Sequence, residues 1–203
     1  MTTDDARRRS ASTARRGASG ETRARLLDAA EAQLRAAGYH GVSTRDIAAA
    51  VGIRAASAHH HFPTKIALAL AVIERYQARF LEALGPPERF SGDQSAAIAA
   101  YGSVFAESFE REGRLCLCGV LGAERQSLPE PLAAATGAFF RANLTWLEAA
   151  LAAPGADDAA SQRLAAQVLA QMEGAMLLAN ALADPSVFQR AVDAERSGFV
   201  RSG

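Results

Sequence analysis

Three consecutive histidines, His59, His60 and His61, invite a chemical reading first. Imidazole can ligate a metal, move a proton or donate to a phosphate. On a helix, neighbouring side chains diverge by about 100°, so three in a row cannot converge on one ion, and no metal site is expected. The thiols of Cys116 and Cys118 come next. A thiol reacts as its thiolate, which needs partial exposure and a nearby cation; Arg114 stands next but one to Cys116. The alternative is two packed, inert thiols. Residues two apart on a helix point about 200° apart, which argues against a shared chelate. No Ser/His/Asp order, phosphate loop or metal-ligand spacing stands out, so neither an enzyme nor a cofactor is expected. What remains is a set of donors and cations, Arg45, Arg54, His59, His60, His61 and Lys65, within about twenty residues. Such a set suits an anionic partner.

The elements around these residues must be short helices. Leu26, Leu27, Ala30 and Leu34 recur at helical spacing and place a first helix over about 21–37, stopped by Gly38. Tyr39 and Val42 anchor the loop, and Ser43 or Thr44 caps a second helix over 44–51. Gly52 breaks it where a turn needs positive φ, and a third helix covers about 55–60. Ala48 is small where the third helix must cross closely; Ile47, Val51, Ile53 and Ala58 supply a shared core. Pro63 disfavours helix at Phe62, and Thr64 caps a long fourth helix to about Leu84. This is the pattern of a helix-turn-helix.

The run Gly41-Val42-Ser43-Thr44-Arg45-Asp46-Ile47-Ala48, then Val51-Gly52-Ile53, then Ser57 through Lys65, resembles the DNA-binding domain of the tetracycline-repressor (TetR) family. The likeness covers about residues 22–70, and His61-Phe62-Pro63-Thr64-Lys65 carries its most specific part. Two positions depart from the family pattern: Ala58 where a larger apolar residue is usual, and His59-His60 where Tyr-like aromatics are common. The resemblance implies a double-stranded DNA operator as partner. Thr44 and Arg45 then open the second helix toward phosphate. Arg54, Ala55, Ala56, Ser57 and His59 start the recognition helix in the major groove, with Arg54 the candidate for reading guanine. His60, His61 and Lys65 face phosphate, although His61 reads equally well as a residue that ends its helix.

Composition agrees with a split chain. Residues 1–65 hold 11 Lys and Arg against 6 Asp and Glu, and the remainder holds 11 against 16, so a net charge of zero conceals a basic first third. Residues 1–20 are polar and are read as a disordered basic arm, in which Arg7, Arg8, Arg9, Arg15 and Arg16 are free to lie along phosphates. The helix-turn-helix domain follows over 21–68 and a second domain over 69–203. Abundant Ala, few β-branched residues and no alternating segment make the whole chain all-α. The longest uncharged run, Gln94–Ala106, is shorter than the roughly 18 residues a membrane span needs, and no apolar leader is visible, so a cytoplasmic protein without membrane contact is expected.

Further helices are expected over about 94–112, 115–126, 132–152, 158–183 and 185–197. By the same resemblance they form a ligand-binding and dimerisation domain. Tyr101, Phe105, Cys116, Asn143, Trp146, Met172 and Glu173 are candidates for the lining of a small-molecule inducer pocket, apolar with a few polar groups. The helix over 158–183 is apolar on nearly all sides, so Leu164, Val168, Gln171, Ala175 and Leu178, with Phe188, are candidates for a homodimer interface. The expected function is a ligand-responsive, homodimeric repressor on a pseudo-palindromic operator. The alternatives are a regulator that senses electrophiles or oxidants through cysteine, and an architectural DNA-binding protein without inducer. A cavity between the fourth and eighth helices would argue against the last.

Overall fold

The computed structural model describes residues 3–152 and 157–200, which form nine α-helices and no strand. Helix α1 spans Thr3–Ala37 and so begins well before the expected Glu21. Ala and Arg are strong helix formers, and lengthening an existing helix adds one hydrogen bond per residue fixed; the stretch read as a disordered arm is therefore helical from Thr3 on. The arginines from Arg7 to Arg16 lie outside the residues whose side chains are described.

Helix α2 spans Thr44–Val51 and α3 spans Ala55–His61. Ser43 caps α2 by accepting from the Arg45 N–H at 3.2 Å. Gly52, at φ +77°, ends it and donates back to the carbonyls of Ala48 and Ala49. Helix α4 spans Lys65–Leu84, and Thr64 Oγ1 accepts from the Ala67 N–H at 3.0 Å. The chain divides into two compact units, 1–72 and 73–203, with the boundary inside α4. The first unit buries Leu26, Leu34, Ile47, Ala48, Val51, Ala58, Phe62 and Leu68. Fully burying a side chain of Leu or Phe size contributes roughly 1.5–3 kcal/mol, enough to hold helices that are too short to form alone.

In the second unit a 3-10 turn, Pro87–Phe90, precedes α5 (Gln94–Glu112), α6 (Leu117–Ala123), α7 (Glu130–Leu151), α8 (Asp158–Ala181) and α9 (Ser186–Val200). Helix α7 starts two residues earlier than expected because its first turn tolerates Pro131. Helix α6 starts later than expected, which leaves Cys116 at its N-cap. Five rings from α4, α5 and α7 fill the centre: Tyr76, Phe80, Tyr101, Phe105 and Phe139. Asn143 is fully buried among them, and both its polar atoms have a partner. It accepts from the Tyr101 hydroxyl at 2.9 Å and donates to the Phe139 carbonyl at 2.9 Å.

Candidate functional site

The donors and cations singled out from sequence lie at the start of α2, along α3 and at the start of α4, open to solvent to different degrees. Arg45, Arg54, Ala55, Ala56, Ser57, His59 and His60 are exposed; Thr44, His61 and Lys65 are partly exposed. Arg54 is the N-cap residue of α3 with φ −72° and ψ 146°, and its side chain makes no cap hydrogen bond. Ala58 is the residue α3 buries, so the Ala55–Ser57 turn and His59 stay on the open side. His59 Nδ1 lies 3.3 Å from the Pro63 carbonyl, and the His60 and His61 rings meet edge to face at 5.8 Å.

Neighbouring groups hold these segments in place, and several were missed from sequence. Arg25 Nη2 donates to the Val51 carbonyl at 2.7 Å, tying α1 to the end of α2. The Arg23 guanidinium stands 5.1 Å from the centre of the Phe62 ring, where α3 ends. Lys65 Nζ lies 4.2 Å from the centre of the Tyr39 ring, a cation–π contact that sets the direction of the ammonium. An Arg facing a distant carbonyl leaves no periodic mark in a sequence. Val51, Phe62, Tyr39 and Lys65 carry sequence signals of their own as core, helix-end, loop and phosphate residues, whereas Arg23 and Arg25 carry none.

The second unit revises the expected pocket. Tyr101, Phe105, Cys116, Asn143 and Met172 are buried with almost no exposure, and Trp146 donates through Nε1 to the Gly85 carbonyl at 2.7 Å. These six residues build the core because rings and amides on a mostly apolar helix satisfy one another there. Among the described residues, Glu173 is the expected residue that lines a cavity of about 620 Å³ between α6, α7 and α8. Its walls differ from those expected between the fourth and eighth helices. Gly119, Val120, Phe140, Leu144, Leu169 and Ala170 form much of them.

Cys116 sits behind that wall. Its thiol donates to the Glu173 carboxylate and accepts from the Tyr76 hydroxyl, and burial pushes it well above the usual thiol range. The Cys116 N–H faces Met176 Sδ at 3.0 Å, and Cys118 is equally buried. The exposure and cation that a thiolate needs are not what surrounds Cys116. The same burial raises the Glu173 carboxyl to about 6, with the Cys116 hydrogen bond opposing the shift.

The expected dimer residues are also redistributed. Val168, Ala175 and Phe188 pack inside their own chain, and Gln171 Nε2 donates to the Ala191 carbonyl at 3.2 Å. Leu164 is partly exposed, whereas Leu178 is 55% exposed beside Leu177 and Leu182 at 56% and 64%. An all-round apolar helix hides from sequence which of its stripes the monomer itself consumes.

Residues 26–72 match the family described as bacterial regulatory proteins, tetR family. Residues 95–194 match the C-terminal domain of LmrA/YxaF-like transcriptional regulators. The chain belongs to the TetR family of transcriptional regulators. A TetR transcriptional regulator from Legionella pneumophila is 29% identical, covering 86% of this chain and 95% of its own, with a TM-score of 0.77. A TetR-family regulator from Agrobacterium tumefaciens is 26% identical, covering 88% and 97%, with a TM-score of 0.78. The HTH-type transcriptional regulator CymR of Pseudomonas putida is 43% identical over 54 residues, a stretch that spans 27% of each protein. No helix among the described residues is long and apolar enough to cross a membrane.

Proposed function

We propose that this DNA-binding regulator is a ligand-responsive repressor that acts in the cytoplasm as a homodimer on a pseudo-palindromic operator. The observation that carries this reading is the open face of α3. Arg54, Ala55, Ala56, Ser57 and His59 lie together on it, and small residues let the backbone approach base edges. In this reading Arg54 reads a guanine edge, and Thr44, Arg45, His60, His61 and Lys65 hold phosphates. The exposed Leu177, Leu178 and Leu182 supply the self-association surface, since three neighbouring large apolar side chains left to water favour a partner. The cavity of about 620 Å³ favours a ligand-responsive regulator over an architectural DNA-binding protein.

Selection of DNA by the full-length protein tests the reading. The expected product is an inverted repeat with half-sites about one helical turn apart, bound by two chains, with the reporter gene silenced when the site overlaps its promoter. A single asymmetric half-site bound by one chain, or activation of the reporter, overturns it.

A further inference from the structure

We propose that the cavity between α6, α7 and α8 takes a lipophilic cation, with the Glu173 carboxylate as its counter-ion. This deepens the ligand-responsive reading and rests on it only for the consequence at the operator. Thirteen residues line the cavity, and Glu173 is the one charged side chain among them. Its Oε1 is buried and has no hydrogen-bond partner, whereas the carboxylate's contact with Cys116 is with a weak, neutral donor. A carboxylate in an apolar wall is costly unless paired, and a Leu or Met would fill the same position without that cost.

The space beside it is held open by small residues. A Cβ at Gly119 would stand 2.5 Å from Glu173 Oε2, and Gly122, Ala170 and Gly174 keep the adjoining walls low. Phe140 adds an aromatic ring to the lining, a group that attracts cations as well as apolar surface. An anion would meet the carboxylate unfavourably, and a neutral apolar guest would leave its charge uncompensated. A metal ion would find one carboxylate where hard cations collect six or more oxygens.

Calorimetric titration of the full-length protein with tetraphenylphosphonium and tetraphenylborate, ions of one shape and opposite charge, tests the inference. The cation is expected to bind once per chain and at least tenfold more tightly than the anion. Glu173→Gln should reduce that preference at least tenfold, and Glu173→Asp, which keeps the charge, should retain most of it. Leu144→Trp, which fills the cavity from α7, should abolish cation uptake while the melting temperature stays near that of the wild type. Equal affinity for the two ions, an unchanged preference in Glu173→Gln, or no uptake by the folded wild type overturns the proposal. Operator binding is measured separately. Cation uptake that depends on Glu173 but leaves the operator complex intact supports the cation site and overturns the ligand-responsive reading instead.

Discussion

Arg25 closes the end of α2 from a different helix: its Nη2 donates to the Val51 carbonyl at 2.7 Å, one of the carbonyls a helix end leaves without an internal partner. Removing that donor with Arg25→Ala should destabilise the first unit by about 1–1.5 kcal/mol. The variant should lose operator affinity while the exposed residues of α3 are untouched. Thermal unfolding and DNA titration check both effects; unchanged values would make the contact incidental.

Arg54 and Lys65 should separate specificity from simple attraction. Arg54→Ala is expected to cost about 1–3 kcal/mol and to relax preference at one base position. Lys65→Ala should weaken every sequence alike and flatten the salt dependence by about one unit. The two variants are compared by titration on specific and scrambled DNA at several salt concentrations. Parallel behaviour would contradict the assignment.

Leu178→Asp places a charge on the exposed apolar edge of α8, where the monomer loses little packing. The variant should stay folded, sediment as a monomer and bind a full operator weakly. A dimer that survives this change must use another surface.

Glu173 gives the fold a pH signature. Its carboxyl is raised from 4.5 to about 6 in the folded chain, so folding favours the protonated form. That contribution is fully present below pH 4.5 and is lost as pH rises through about 6, a fall of about 2 kcal/mol. Cys116, Tyr76 and Tyr101 are the other titratable groups in this cluster, and those with resolved shifts are raised, which keeps them out of that window. Denaturant melts of wild type and Glu173→Gln between pH 4 and 7 should differ in slope, with the variant flatter. Identical slopes would show that Glu173 ionises as in the unfolded chain.

The cysteines should behave as packing residues. Both are buried, and the Cys116 thiol is shifted away from ionisation. Mass spectrometry after brief exposure to a mild electrophile should therefore show little adduct on the native protein and two adducts after denaturation. Rapid native labelling of Cys116 would restore the sensing alternative.

The first unit was largely legible in the sequence, because its cues are local. Ser43, Gly52 and Thr64 each fix a helix end through atoms within a few residues. The second unit was not legible at the level of sites. Whether Val168 or Leu178 faces a partner depends on which neighbours α8 already touches, and an apolar stripe on every side cannot say. Tyr101 and Asn143 looked like ligand donors because each is a polar group among apolar ones; their mutual hydrogen bond, across forty-two residues, is invisible in one dimension. Glu173 stood out for the same reason, and for it no such mate exists at Oε1.

The bridge from Tyr101 through Asn143 to the Phe139 carbonyl joins α5 to α7 at a single allowed register. Sliding one helix past the other by a turn would strand a phenol and an amide in a dry interior. These two helices therefore behave as one solid piece when the domain changes shape. The centre of the domain is thus a dry, hydrogen-bonded frame, whereas the walls of the cavity are built largely from glycine, alanine and aliphatic side chains.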